Sequence, residues 1–227
     1  TFLVEKKQVV VLSKAADLDQ IFGPPSGKNG SLVAFGNPDG SLAAATQEVK
    51  ALADIFPGSA IYVEGQATSE KLAGVQAPKV SYLHLATHGT LNAQEPRESY
   101  LTLAKGGKLS VTDITNSRLD SEGGDLNLVT LSACQTALAG RGGNQDGSDL
   151  RSLADAFSFA GCRSMVASLW KVEDNSTRDL MVVFYQNLKA GKSKAGALQA
   201  AQLSLLKQER YSHPFFWAPF ILIGDWR

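Results

Sequence analysis

The chain has 227 residues, 44% of them hydrophobic and 19% charged, a size at which one large domain buries an ample core without disulfide or metal staples. Lys plus Arg and Asp plus Glu both number 22, so the net charge is zero and the electrostatic footprint of nucleic-acid binding is missing. The apolar runs fall far short of the roughly 20 residues of a membrane span, so neither a nucleic-acid nor a membrane partner is expected.

Two cysteines, Cys134 and Cys162, and no apolar leader point to a reducing, cytoplasmic setting. The chain starts at Thr1, with Phe2-Leu3-Val4-Glu5 reading like a strand already under way. A longer parent protein is expected, with residues 1–30 as a tail of what precedes or as part of the same domain, and 31–227 as the domain proper.

In chain order, Gln8 to Leu12 reads as a short strand and Ala15 to Phe22 as two helical turns stopped by Gly23-Pro24-Pro25. Leu32 to Phe35 is a buried strand closed by Gly36-Asn37-Pro38-Asp39-Gly40, which is dense turn chemistry. Thr46 to Phe56 carries Val49, Leu52, Ala53 and Phe56 at helical spacing, with Thr46 or the residue before it as cap. The strand Ala60 to Val63 completes a βαβ unit.

A short helix at Ser69 to Gly74 and the strand Val80 to Ala86 follow. Tyr100 to Leu103 and Lys108 to Ser110 then flank Gly106-Gly107, the signal of a two-residue hairpin. Thr112 to Asn116 reads as one helical turn. The remaining elements are the strand Leu128 to Leu131, the helix Leu150 to Ala160, the strand Arg163 to Leu169, helices from about 175 to 190 and from Ser193 to about 207, and the strand Phe220 to Ile223. Residues 140–149 are the most loop-like. Such alternation predicts an α/β domain with a mostly parallel central sheet, helices on both faces and a small hairpin insertion.

In an open parallel sheet, ligands bind at the carboxyl ends of the strands. Two strands end there in reactive groups: Val129 to Ala137 (VTLSACQTA) carries Cys134, and Val80 to Ala86 runs into Thr87-His88-Gly89. If the two strands are neighbours, an imidazole lies beside a thiol. The separation of 46 positions (134 − 88) is close to the roughly 50 residues between His and Cys in caspase-type proteases.

A free thiol has a pKa near 8.5, so only a few per cent is thiolate at neutral pH. A nearby imidazole raises that share or takes the proton during attack, then protonates the leaving amine. Other polar and aromatic groups read as structural: His84 as a hydrogen-bonded core residue, His213 and the Phe215, Phe216, Trp217 and Phe220 cluster as packing of the last strand, and Cys162 as a small core residue. With three histidines, no cysteine pair at ligand spacing and no phosphate-cradling Gly-Lys-Ser/Thr run, neither a metal nor a cofactor is expected.

The runs YLHLATHG (82–89), VTLSACQTA (129–137), SLADAFSFAGCRSMVASLWKVED (152–174) and HPFFWAPFILIGDW (213–226) together resemble a CHAT domain, a caspase-like module of the broad clan that includes caspases and separase. The resemblance runs from about Ser31 to Trp226. It implies a cysteine endopeptidase acting on a protein or peptide substrate, with His88 and Cys134 as the catalytic pair and the backbone N–H groups of Gly89 and Cys134 as oxyanion donors.

By the same resemblance, Ser132 lines the first specificity pocket, and Trp170 and Lys171 form a wall against which an extended peptide adds as a strand; from their place in the loop, Asp146 and Asp149 are expected to supply acidity. The segment Gln135-Thr136-Ala137 departs from the Gly-containing caspase signature. CHAT domains often end chains that carry helical repeats, which implies an upstream regulatory region. Two rival readings are a dormant CHAT interaction module and a small-molecule thiol hydrolase; an open groove with a free strand edge counts against the latter.

Overall fold

Parity along the central strands builds the domain. The computed structural model describes residues 1–12, 31–75, 80–90, 92, 95–117, 126–132, 134–135 and 148–227. The elements are β1 (Ser31–Gly36), α1 (Ala43–Ile55), β2 (Ala60–Val63), α2 (Ser69–Ala73), β3 (Val80–Ala86), β4 (His88–Thr90), β5 (Tyr100–Thr102) and β6 (Lys108–Ser110). They continue with α3 (Val111–Asn116), β7 (Leu128–Leu131), β8 (Cys134–Gln135), α4 (Ser148–Phe159), β9 (Ser164–Ser168), α5 (Asp174–Lys189), α6 (Lys194–Leu206) and β10 (Phe220–Gly224).

Successive side chains of a strand point to opposite faces. Odd-numbered Val33, Phe35, Leu83, Leu85, Val129, Leu131, Met165 and Ala167 join one core with Leu72 of α2, Ile114 of α3 and Leu153 and Phe157 of α4. Even-numbered Leu32, Ala34, Tyr82, Leu128, Val166 and Leu222 join the other, with Val49 and Leu52 of α1, Leu180 and Phe184 of α5 and Leu198 and Ala201 of α6. A sheet apolar on both faces must be covered on both, and it is.

The six-stranded sheet runs β10-β9-β7-β3-β1-β2, parallel throughout except for the antiparallel β10–β9 pair. The expected mixed α/β fold is therefore present. A second sheet, β6-β5-β4-β8, carries the expected hairpin excursion. No helix among the described residues is long and apolar enough to cross a membrane.

Several local expectations are corrected. Gln8 to Leu12 forms no strand; a single parallel bridge joins Val11 to Ile223. The β5–β6 connection runs from Leu103 to Gly107, because Leu103 and Ala104 are drawn into the core and the Ala104 N–H donates to the Ala67 carbonyl at 2.8 Å. Helix α1 begins at Ala43, three residues before the expected cap Thr46, since its N-terminus is satisfied from the preceding loop. The helix expected at Ala15 to Phe22 and the loop from 140 to 147 lie outside the described residues.

At the amino end of the sheet, Lys194 opens α6 with Ser193 as cap and buries its ammonium, whose Nζ donates to Asn127 Oδ1 at 2.8 Å. Burial pushes its pKa down to about 8, against partial compensation from Asp225. The unfolded chain, near 10.5, holds this proton more tightly than the fold does. Stability is therefore reduced below pH 8 and recovers as pH rises from about 8 to about 10.5. Urea titrations of wild type and Lys194→Met across that window should show the wild type gaining up to about 3 kcal/mol on the variant as pH rises; parallel curves would show that the ammonium is not desolvated.

Candidate active site

The β3–β7 ladder pairs Tyr82 with Leu128, Leu83 with Val129, His84 with Thr130 and Leu85 with Leu131. Each pair is 46 positions apart. Both strands then leave the large sheet at its carboxyl end and resume as β4 and β8 at the same offset, pairing His88 with Cys134 and Gly89 with Gln135 in parallel. His88 and Cys134 are therefore neighbours as backbone positions, one ladder spacing of about 4.8 Å apart.

Thr87 sits at the break. It is buried, and its Oγ1 donates to the Thr102 carbonyl at 2.7 Å, pinning the exit of β3 to the end of β5. That tie turns the chain so that His88, whose side chain is 30% exposed, emerges at the rim. Gly89 is buried in the middle of the small sheet, between β5 and β8.

The rim also holds a group that the sequence reading took only for a turn. After β1, Asn37 adopts a left-handed conformation with φ of 50°, uncommon for a non-glycine residue. Its N–H donates to the Ala86 carbonyl at 2.9 Å, extending the β1–β3 pairing, and its Oδ1 accepts from the Leu42 N–H, the entry to α1. Its Nδ2 donates to Thr46 Oγ1 at 3.0 Å. A β-turn over Asn37-Pro38-Asp39-Gly40 closes with the Gly40 N–H on the Asn37 carbonyl, Gly40 taking a φ of 80°. Gly36 lets α1 return closely, since a Cβ there would lie 2.7 Å from Val49 Cγ2.

This loop lays Asp39 and Ser41 against His88. Ser41 Oγ lies 2.6 Å from His88 Nε2, and Asp39 Oδ2 lies 3.6 Å from the same nitrogen. Ser41 also donates to Asp39 Oδ1 twice, from its hydroxyl at 2.7 Å and from its backbone N–H at 3.1 Å. Those two bonds hold the Asp39 carboxyl below the usual carboxylate range against a modest desolvation. Asn37, Asp39 and Ser41 were missed because their composition is that of any turn. The signal was topological: a loop leaving β1 must border the exit of β3, its neighbour.

The other expected site residues are placed as follows. Ser132 is buried between β7 and β8. Trp170 and the exposed Lys171 follow β9 at the same end of the sheet. Trp170 stacks on Phe215 with ring centroids 6.5 Å apart, and its Nε1 donates to the Phe215 carbonyl at 3.1 Å. Asp146 lies outside the described residues, and Asp149 is placed only as a backbone position in the first turn of α4. Among the described residues no strand pairs with the outer side of β8.

Two structural expectations need correction and two hold. His213 is exposed and caps the following 3-10 turn, its Nδ1 accepting from the Phe215 N–H, rather than packing β10. Phe215 is 45% exposed, whereas Trp217 and Phe220 are core. The reason is the turn itself, which presents Phe215 to the rim beside Trp170. Cys162 is buried, its Sγ donating to the Ser164 carbonyl. His84 is fully buried, with Nε2 2.7 Å from Glu48 Oε1 and Nδ1 3.3 Å from the Tyr185 hydroxyl. No group of three or more His, Cys, Asp or Glu among the described residues is arranged to hold a metal.

Comparison with known proteins agrees with this geometry. In solved structures the chain is similar to separase of Saccharomyces cerevisiae in its complex with securin, at a TM-score of 0.63 and 14% identity over 96% of this chain and 14% of that one. It is also similar to the Arg-specific cysteine proteinase gingipain R, at a TM-score of 0.60 and 10% identity over 92% of this chain and 51% of that one. At such identities the likeness shows the fold, and that fold is the caspase-like one of cysteine peptidases.

Among curated proteins, tetratricopeptide repeat protein 28 of Mus musculus is 32% identical over 98 residues, which is 43% of this chain and 4% of that protein. The Homo sapiens protein of the same name is 34% identical over 73 residues, 32% of this chain and 3% of its own. The chain thus spans a small fraction of the length of these relatives. The CHAT domain family matches residues 1–225, and with the caspase-like sheet and the His88–Cys134 register in place, this chain belongs to the CHAT domain family.

Proposed function

We propose that this domain is a cysteine endopeptidase in which Cys134 is the nucleophile and His88 its general base and acid. The observation that supports it most is the register: His88 and Cys134 are direct partners across β4–β8, at the carboxyl rim of a parallel sheet. In this mechanism the thiol of Cys134 passes its proton to His88 as the sulfur attacks the scissile carbonyl. The tetrahedral oxyanion is met by the backbone N–H groups of Gly89 and Cys134, and His88 returns the proton to the departing amine. Water then hydrolyses the thioester with His88 again acting as base.

Substrate binding is assigned to the same rim. Ser132, buried two residues before Cys134, brings no charge to the first pocket. The Trp170–Phe215 stack with Lys171 offers an apolar shelf edged by a cation, and β8, the terminal strand of its sheet among the described residues, presents an edge to which an extended peptide adds. That edge favours a polypeptide over a small thioester. Asp146 and Asp149 remain assigned as acidic contributors to the pocket. Control by a flanking repeat region or a partner is supported by the tetratricopeptide repeat relatives, of which this match is a small part.

Labelling with a peptidyl acyloxymethyl ketone, read by peptide mass mapping, tests the reading. Cys134 should be modified selectively over the buried Cys162, and Cys134→Ala should abolish both modification and cleavage of a peptide library. Equal labelling of the two cysteines, with cleavage that survives Cys134→Ala, rejects it.

A further inference from the structure

We infer that Ser41 and Asp39 are positioning residues that fix the tautomer of His88, placing its proton on Nε2 and leaving Nδ1 as the basic nitrogen. The inference deepens the peptidase reading and rests on it for its catalytic meaning, but the tautomer stands on this structure's geometry alone.

The argument is a count of protons. Asp39 is held ionised by the two bonds it accepts from Ser41, and an ionised carboxylate only accepts. The Ser41 hydroxyl has one proton, and it is given to Asp39 Oδ1 at 2.7 Å. What Ser41 Oγ turns toward His88 Nε2 at 2.6 Å is therefore a lone pair. A bare Nε2 would set lone pair against lone pair, with the Asp39 carboxylate a further 3.6 Å contact of the wrong sign. An Nε2–H satisfies both: it donates to Ser41 Oγ and points its positive end toward Asp39. Which nitrogen of a neutral imidazole carries the proton is set by the bond the other makes, so the free lone pair belongs to Nδ1.

The carboxylate thus acts through a hydroxyl, as Asp39 to Ser41 to His88, and neither Asp39 nor Ser41 touches the reacting bond. The loop is built for this: left-handed Asn37, itself buried and bonded to β3 and to α1, leaves Ser41 little freedom to move away. A residue held in a sparsely populated conformation by its surroundings is common at functional sites.

Long-range 15N NMR of the imidazole in the 227-residue chain, with Cys134→Ala to prevent self-cleavage, reads the tautomer directly. The expected result is a protonated Nε2 and a bare Nδ1 for neutral His88, lost to a mixture in Ser41→Ala and restored in Ser41→Thr, which keeps the hydroxyl. With Cys134 present, Ser41→Ala should slow Cys134 alkylation about tenfold, the scale of one hydrogen bond, with Ser41→Thr recovering most of it. A bare Nε2 in the unmodified loop, or a tautomer indifferent to Ser41→Ala, overturns the inference whatever the enzymology shows. The expected tautomer without selective alkylation of Cys134 upholds the positioning and instead defeats the peptidase reading.

Discussion

Replacing His88 by Ala should lower kcat for peptide cleavage by about 10²–10⁴-fold, the range a positioned general acid–base supplies, with KM nearly unchanged. The division follows from the proposed role. His88 moves a proton in the chemical step and does not hold the peptide, and an interaction made only in the transition state is lost from kcat and kcat/KM equally. Folding should survive, because the side chain is 30% exposed at the rim and the backbone pairing of β4 with Tyr100 and Leu101 of β5 and with Cys134 and Gln135 of β8 does not depend on the imidazole. Thermal unfolding of the variant should therefore match the wild type within a few degrees.

Chemical rescue sharpens the test. Free imidazole added to His88→Gly should restore part of the lost rate, since the Ser41 hydroxyl remains to receive its N–H. A fall confined to KM would assign His88 to binding, and no fall at all would remove it from the mechanism.

The sheet was legible because its rule is local. A strand buried on both faces must be apolar at every position, and β1, β3, β7 and β9 are nearly so in sequence. The facing of β3 by β7 then carries the 46-residue offset from His84–Thr130 through to His88–Cys134, which is why two motif ends read separately from the chain meet in space. Strands β4 and β8, of three and two residues, have no periodicity of their own to read. They exist because the larger ladder delivers them in register.

Ser41 and Asp39 were illegible for a different reason. A Pro-Asp-Gly-Ser turn has the same composition wherever it occurs, and only the adjacency of β1 to β3 makes it part of a site. Likewise, nothing local to Thr46 reveals that Asn37, nine residues earlier, both receives the Leu42 N–H and binds the Thr46 hydroxyl. His213 beside an aromatic run reads as packing, but Pro214 at the start of the 3-10 turn makes the imidazole a cap and turns Phe215 outward.

Glu48→Met should destabilise the domain by about 3–5 kcal/mol, the cost of removing one partner of a buried acid–histidine pair, and so lower the melting temperature by roughly 6–20 °C for a chain of this size. Glu48 of α1 reaches His84 of β3 at 2.7 Å in the core between sheet and helices, and both side chains are almost fully buried. The approach lies off the direction a hydrogen bond prefers, since neither atom forms a well-aligned bond; the contact is one of close approach. On its other side, His84 Nδ1 meets the Tyr185 hydroxyl, which donates to Thr130 Oγ1 at 2.8 Å. Burial pushes the Tyr185 phenol far above its ordinary pKa, so it stays a neutral donor.

The network therefore joins α1, β3, β7 and α5 through four side chains, and deleting its carboxylate strips buried His84 Nε2 of the oxygen that lies 2.7 Å from it. Two features separate this from ordinary core damage. The paired change Glu48→Met with His84→Leu removes both ends and should recover much of the loss, because a well-packed apolar replacement of a buried pair is often neutral or stabilising. A double variant as unstable as the sum of the two single ones would show that the residues are independent. Reactivity of Cys134 gives the second criterion: since His84 shares a strand with the exit to His88, a shift of β3 under Glu48→Met should slow alkylation, whereas the paired variant should alkylate at the wild-type rate.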